Sequence, residues 1–313
     1  MTGTSWLGLL ATILWTAVAV AWCRRGARGP HGAAWRRFFR HPTAAAGVAV
    51  LVFFATVAVC APLLAPYRPS QQLDIVALQN QPPSWLHPLG TDLYSRDVWS
   101  RLVYGAQVSL GIGTLGMVVA VTLGGLVGAV AGYFRGWTDA VLMRLVDVGL
   151  SVPRIFLVLL AIALWERLGT GALILLLGFT GWFATSRLVR AEVLSLRERA
   201  FTDAARTAGA RPWRIITRHV LPNAAAPLIV SAALGIGHMM LLEAGLSFLG
   251  VGVQPPVPSW GNMIADGRDQ VTTALWTSLF PGLAIAITVM ALNAIGDAAR
   301  DALDPRADYL FEP

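Results

Sequence analysis

The chain has 313 residues, 56% of them hydrophobic and 13% charged, with a mean hydropathy of +0.61. Soluble domains carry roughly 25% charged residues, so this composition cannot clothe an ordinary solvated surface, and a soluble enzyme with one compact core is excluded. The formal charge is +7 and all 24 basic residues are arginine, which also excludes a P-loop of the G-x-x-x-x-G-K-[ST] type and Schiff-base chemistry, both of which need a lysine.

The apolar residues are gathered into uncharged stretches: Trp6–Cys23, Pro42–Tyr67, Leu102–Phe134, Ile155–Trp165, Leu168–Ser186, Val220–Leu242 and Val271–Gly296. The fourth is short but extends backward through Leu142–Pro153. Runs of about 20 residues match the thickness of a bilayer, which predicts an all-α transmembrane protein with several spans. The arginines alternate between the two sides of these spans. Segments 24–40, 135–154, 187–218 and 297–313 hold 19 of them, and the other side holds only Arg68, Arg96, Arg101, Arg167 and Arg268. By the positive-inside rule the arginine-rich side is cytoplasmic. Charge confined to loops in this way argues against nucleic acid as a partner and for a lipid bilayer.

The first span carries no positive charge before its apolar run and is followed by Arg24 and Arg25, the reverse of a secretory signal. It is expected to be an uncleaved helix with its N-terminus outside, the alternative being an over-extended start site. Residues 1–41 are therefore read as an extra N-terminal transmembrane helix with a basic cytoplasmic linker. A six-helix core follows over 42–306, with both of its ends cytoplasmic, and a cytoplasmic tail over 307–313. Cys23 and Cys60 both lie in apolar runs without metal-ligand spacing and read as small buried hydrophobes.

Residues 67–101 form the longest outer loop. Thr91 or Asp92 is placed to cap a short amphipathic helix reaching Tyr104, and His87 has no second histidine or cysteine nearby to complete a metal site. In the next span Gly124, Gly128 and Gly132 recur every four residues and share one face, which allows close approach of another helix.

Segment 191–222 is the most patterned of the arginine-rich loops. Phe201, Ala204, Ala205 and Ala208 fall on one helical face, Gly209 supplies a stop, and Pro212 opens a second helix on which Trp213, Ile216 and Val220 share a face. A DNA-binding helix-turn-helix has this kind of spacing, but about thirty residues tethered at both ends leave no supporting domain. A basic loop lying on anionic lipid is a second reading. A docking element for a cytoplasmic partner is the third and is favoured.

Asp203-Ala204-Ala205, then Gly209, then Leu221-Pro222 resembles the "EAA" loop of ABC-importer permeases. His87-Pro88-Leu89-Gly90-Thr91-Asp92, Ser95-Arg96-Asp97 and Ser100-Arg101 resemble the outer-loop signature of the dipeptide/oligopeptide branch, which also includes nickel permeases. Arg218-His219-Val220-Leu221-Pro222-Asn223, Glu243-Ala244-Gly245-Leu246-Ser247-Phe248-Leu249-Gly250 and Asp301-Ala302-Leu303-Asp304-Pro305-Arg306 fit the same branch. Asp203 replaces the motif's glutamate, Ser95 stands where glycine is usual, and residues 1–41 lie outside the resemblance. The resemblance implies a permease subunit of an ATP-driven importer of dipeptides or oligopeptides in a bacterial inner membrane, with a nickel importer as the alternative. It implies a second homologous permease chain, two ATP-binding subunits that hydrolyse ATP, and an extracytoplasmic substrate-binding protein. This chain would carry no cofactor and no catalysis. Phe201, Asp203, Ala204, Ala205, Gly209, Leu221 and Pro222 would form the ATPase-coupling loop.

Glu243 lies about 30 Å along its helix, near the outer face. An ionisable group in a span faces a cavity or a partner, so Glu243 either lines the translocation path or steadies an outer gate, or else pairs with an arginine of a neighbouring helix. Asp147 and Arg144, three residues apart, are expected to form a local ion pair. A secondary transporter would need ion-coupling groups at mid-membrane, and no clear set of them is visible.

Overall fold

The computed structural model describes residues 11–18, 20–21, 32–165 and 168–303. Of the first expected span, residues 11–18 and 20–21 are helical; its remainder, residues 24–31 of the basic linker and the tail 307–313 lie outside the described residues. The principal helices are α1 (Gly32–Phe38), α2 (Pro42–Val59), α3 (Val98–Phe134), α4 (Gly136–Ser151), α5 (Arg154–Leu164), α6 (Thr170–Arg197), α7 (Ala200–Thr207), α8 (Pro212–Ile215), α9 (Ala225–Phe248), α10 (Trp260–Gly267) and α11 (Trp276–Leu303). Five of them, α2, α3, α6, α9 and α11, are long and apolar enough to cross a membrane. The pair α4 and α5 makes a sixth if it counts as one span. Helices suit these apolar runs because lipid offers no hydrogen bonds and every backbone group must be satisfied within its own segment.

The span expected to run unbroken from Leu142 to Trp165 is bent by 85° between α4 and α5. Val152 adopts an extended conformation (φ −101°, ψ 129°). The ring of the following Pro153 disfavours the helical conformation at the residue before it, and Pro153 has no N–H to continue the ladder.

The chain divides into two compact units, residues 1–113 with 236–313, and residues 114–235. In the first, α2 and α10 both pack along α11. Its core includes Val57, Leu64, Val98, Met240, Met263 and Leu292 around Trp260, which is fully buried. The Trp260 indole donates to the Leu102 carbonyl at 3.0 Å and meets Phe54 edge-on at 5.2 Å. The short helix expected to end at Tyr104 is instead the first turns of α3. Its cap is Asp97, whose carboxylate accepts from the Ser100 backbone N–H at 2.8 Å. Asp92, the expected cap, is engaged with two arginines described below.

In the second unit, α4 and α5 pack on α6, and the glycine face of α3 lies against α6 as well. A β-carbon on Gly124 would sit 2.6 Å from the Thr185 β-carbon, and one on Gly132 would sit 2.9 Å from the Arg190 carbonyl oxygen. Arg190 holds Asp139 through both carboxylate oxygens, at 2.5 and 2.6 Å. Asp147 pairs with Arg187 of α6 rather than with Arg144. Spacing along one helix could not reveal that α6 offers a second arginine across the helix pair.

Candidate functional site

The 191–222 loop is built on a small core of its own. α6 continues to Arg197, Arg199 turns extended, and α7 follows. Gly209 ends α7 at φ +76°. Its N–H reaches the Arg206 carbonyl at 2.9 Å and the Ala210 N–H reaches Ala205 at 3.1 Å, the paired bonds of a Schellman cap. Arg211 is extended, Pro212 starts α8, and a π-helical turn Ile216–Val220 leads through Leu221–Asn223 to α9. Two short helices and a turn are thus where the sequence expects them.

Beneath the loop, Ala129 and Tyr133 of α3 and Val189, Val193 and Leu196 of α6 pack with Ile215, Ile216 and Val220. Phe201, Ala205 and Leu221 are half-buried against this cluster. Ala204, Ala208, Gly209 and Pro222 are exposed. The expected apolar face of α7 therefore splits, with Phe201 and Ala205 turned inward and Ala204 and Ala208 outward. Asp203 is also exposed and pairs with Arg206 at 2.9 Å. On the following segment Ile216 and Val220 are buried as a pair, but Trp213 is 54% exposed and Ile215 takes the inward place. A π turn holds an extra residue, which shifts the face relative to the expected 3.6-residue period.

Thr202 escaped the sequence reading. It is fully buried, and its hydroxyl donates to the Leu196 carbonyl at 2.8 Å, fastening α7 to the last turn of α6. Its only trace in the sequence is a β-branched hydroxyl residue in the first turn of a short helix.

Glu243 of α9 is fully buried. One carboxylate oxygen accepts from Ser247 at 2.6 Å and from Ser259 at 2.8 Å, and the other has no partner among the described residues. Two serine hydroxyls thus occupy the place that an arginine was expected to fill in one of the two readings. Ser247 also accepts from the Val253 N–H at 3.1 Å. Ser259 and Asn262 form a reciprocal capping box at the start of α10. Glu243 is the hub that closes the 249–259 segment onto the end of α9.

The 67–97 loop is organised by buried charge. Asp92 accepts from Arg96 at 2.7 Å and from Arg101 at 2.8 Å, and the same two arginines reach Asp266 at 2.8 and 3.0 Å. His87 bonds Asp97 at 2.9 Å, with Tyr67 tilted over its ring. Among the described residues no three His, Cys, Asp or Glu side chains gather in a way that would hold a metal.

Two family models match the chain. Residues 124–309 match the binding-protein-dependent transport system inner membrane component, and residues 30–83 match the N-terminal transmembrane domain of oligopeptide transport permease C. The second match begins at residue 30, so residues 30–41, read from sequence as preceding the core, fall inside the matched region. A peptide transport system permease protein of Brucella abortus is 43% identical over 87% of this chain and 90% of its own length. The dipeptide transport system permease protein of Alkalihalophilus pseudofirmus is 40% identical over 87% of this chain and 90% of its own. The glutathione transport system permease protein of Pectobacterium atrosepticum is 39% identical over 90% and 93%. With its apolar helices and its patterned loop, this chain belongs to the family of multi-pass inner-membrane permease components of binding-protein-dependent ABC importers.

Proposed function

We propose that this chain is a permease subunit of an importer of short peptides, and that it forms the translocation path with a second, homologous permease chain. The relatives' names support the substrate class: they are permeases for peptides, dipeptides and glutathione, itself a tripeptide. Two ATP-binding subunits supply the energy, and an extracytoplasmic binding protein delivers the substrate.

The observation that carries the mechanism is the division of the 191–222 loop into a buried and an exposed face. Phe201, Ala205 and Leu221 join the loop to the ends of α3 and α6, while Asp203, Ala204, Ala208, Gly209 and Pro222 are free to meet a partner. A loop with its own core moves as a unit when its exposed face is displaced, so closure of the ATPases on ATP is passed into the spans. The arginine asymmetry places this loop on the cytoplasmic side. Glu243 steadies an outer gate: its two serine bonds hold the 249–259 segment against α9 and α10.

Co-purification of the complex, followed by mass spectrometry of whatever the binding protein carries, tests the reading. Short peptides are expected. Nickel without peptide would overturn the substrate class, and a chain that transports without ATPase partners would overturn the whole assignment.

A further inference from the structure

Tyr133 lies in the core beneath the loop and is 7% exposed. Two guanidinium groups flank its ring: Arg206 of α7 lies 5.6 Å from the ring centroid and Arg197, from the last turn of α6, lies 5.7 Å from it. Both distances fall inside the roughly 6 Å within which a cation is drawn to an aromatic face. Arg206 is also the residue that holds Asp203, the acid of the exposed face. Arg197 Nη1 is buried without a hydrogen-bond partner among the described residues.

The neighbouring backbone is unusual too. Arg135 adopts φ 58° and ψ −163°, a conformation that is almost reserved for glycine, and its guanidinium donates to Glu198 at 2.9 Å. Strain of this kind persists only where the surroundings hold it. The residue that follows α3 is joined to the root of the loop by the exposed Arg135–Glu198 pair, and Tyr133 of α3 meets Arg197 at that root and Arg206 on the loop's moving helix.

We propose that Tyr133 and Arg206 are the relay through which displacement of α7 reaches α3. The proposal rests on the reading that the 191–222 loop docks the ATPases. Asp203 and Ala204 meet the partner, Arg206 is bonded to Asp203, and the Tyr133 ring is what Arg206 meets on its inner side. Thr202 ties the first turn of α7 to α6, and Phe201 and Ala205 pack against the shared core through apolar contacts that let side chains slide, whereas the Arg206 charge over the Tyr133 ring has a preferred position and reaches α3 itself. α3 is a continuous 37-residue helix, so a shift at its C-terminal end moves a long rod rather than a flexible strand.

The test uses the full complex in proteoliposomes, with a tritiated casein digest of short peptides as the probe, and reads peptide imported per ATP hydrolysed. Tyr133→Leu keeps an apolar side chain but removes the ring face, and Arg206→Gln removes the cation from a position outside the core. Each is expected to lower the ratio at least threefold while the ATPases still co-purify, and Tyr133→Phe is expected to stay within twofold of wild type. The double variant should lose no more than the worse single one, as expected of two residues acting through one contact. Wild-type ratios in both single variants, additive losses, or a Tyr133→Phe as damaged as Tyr133→Leu would overturn the relay. Ala204→Asp separates the two levels, because it alters only the exposed face. ATPases that still co-purify with Ala204→Asp would overturn the docking reading itself, whereas their loss beside a normal Tyr133→Leu would overturn the relay alone.

Discussion

The Thr202 hydroxyl and the Leu196 carbonyl are 2.8 Å apart, and both belong to fully or nearly fully buried residues. The carbonyl lies at the end of α6 and also accepts from the Arg199 backbone N–H at 3.3 Å, so the Thr202 hydroxyl adds a further, shorter bond that ties the first turn of α7 to the helix before it. Thr202→Val keeps the shape and removes the donor. A net hydrogen bond is worth about 1 kcal/mol, equivalent to roughly a fivefold change in local opening. Amide hydrogen exchange in residues 200–208 should accelerate by about that factor, with exchange in α2 and α11 unchanged.

Gly209 offers a clean test of backbone conformation. A β-carbon there would meet no atom of this chain within 4 Å, so within the chain a substitution acts through the φ of +76°. Gly209→Val should cost about 1–3 kcal/mol locally, and Gly209→Asn less, since asparagine tolerates the left-handed region. Membrane insertion should be normal in both. Binding-protein-stimulated ATP hydrolysis and ATPase pull-down should fall in the valine variant and be largely retained in the asparagine one.

Close helix approach in the second unit predicts an asymmetry between adjacent glycines. A β-carbon on Gly124 would lie 2.6 Å from the Thr185 β-carbon and 2.7 Å from the Trp182 carbonyl, while one on Gly125 would meet nothing within 4 Å. Gly124→Ala should destabilise by about 1–3 kcal/mol, because backbone atoms of α6 must give way. Gly125→Ala should be neutral or stabilising. Melting temperatures of the detergent-solubilised chain distinguish them.

The Asp92 cluster should be intolerant of losing one charge. Asp92→Asn leaves Arg96 and Arg101 to share Asp266, and breaking a buried pair from one side costs about 3–5 kcal/mol. The measured melting temperature should fall clearly. Asp269→Asn breaks a pair whose acid is 79% exposed, and no measurable change is expected.

Orientation is open to chemical labelling. Ser70, Gln254 and Thr207 are all exposed. In a background lacking Cys23 and Cys60, cysteines at Ser70 and Gln254 should react with an impermeant thiol reagent in intact cells. One at Thr207 should react only after the membrane is opened. Labelling of Thr207 from outside would reverse the proposed topology.

Spans and the turn at Gly209 were legible in the sequence because each depends on residues close together in the chain, whereas the cap of α3 is Asp97 and not Thr91 or Asp92. Apolar run length set the helices of the core, Pro212 and Gly209 marked the two short helices of the loop, and glycines four apart marked a close-packed face. The three-residue spacing of Arg144 and Asp147 was equally visible and misleading, because Arg187 comes from another helix. The serine hydroxyls on Glu243, and Thr202 at the carbonyl of Leu196, were no more legible, since each bond closes a turn or loop whose path the sequence does not state. The inward side of α7, Phe201 and Ala205, is the one that meets the cluster from α3 and α6, and on the next segment the π turn departs from the 3.6-residue period, with Ile215 inward and Trp213 outside. Periodicity is a property of one helix, whereas the partner of a buried charge and the face a short helix turns inward depend on which other helices arrive beside it. In this protein, local chemistry determined the spans and the loop, and only tertiary packing decided how the loop is fastened to them.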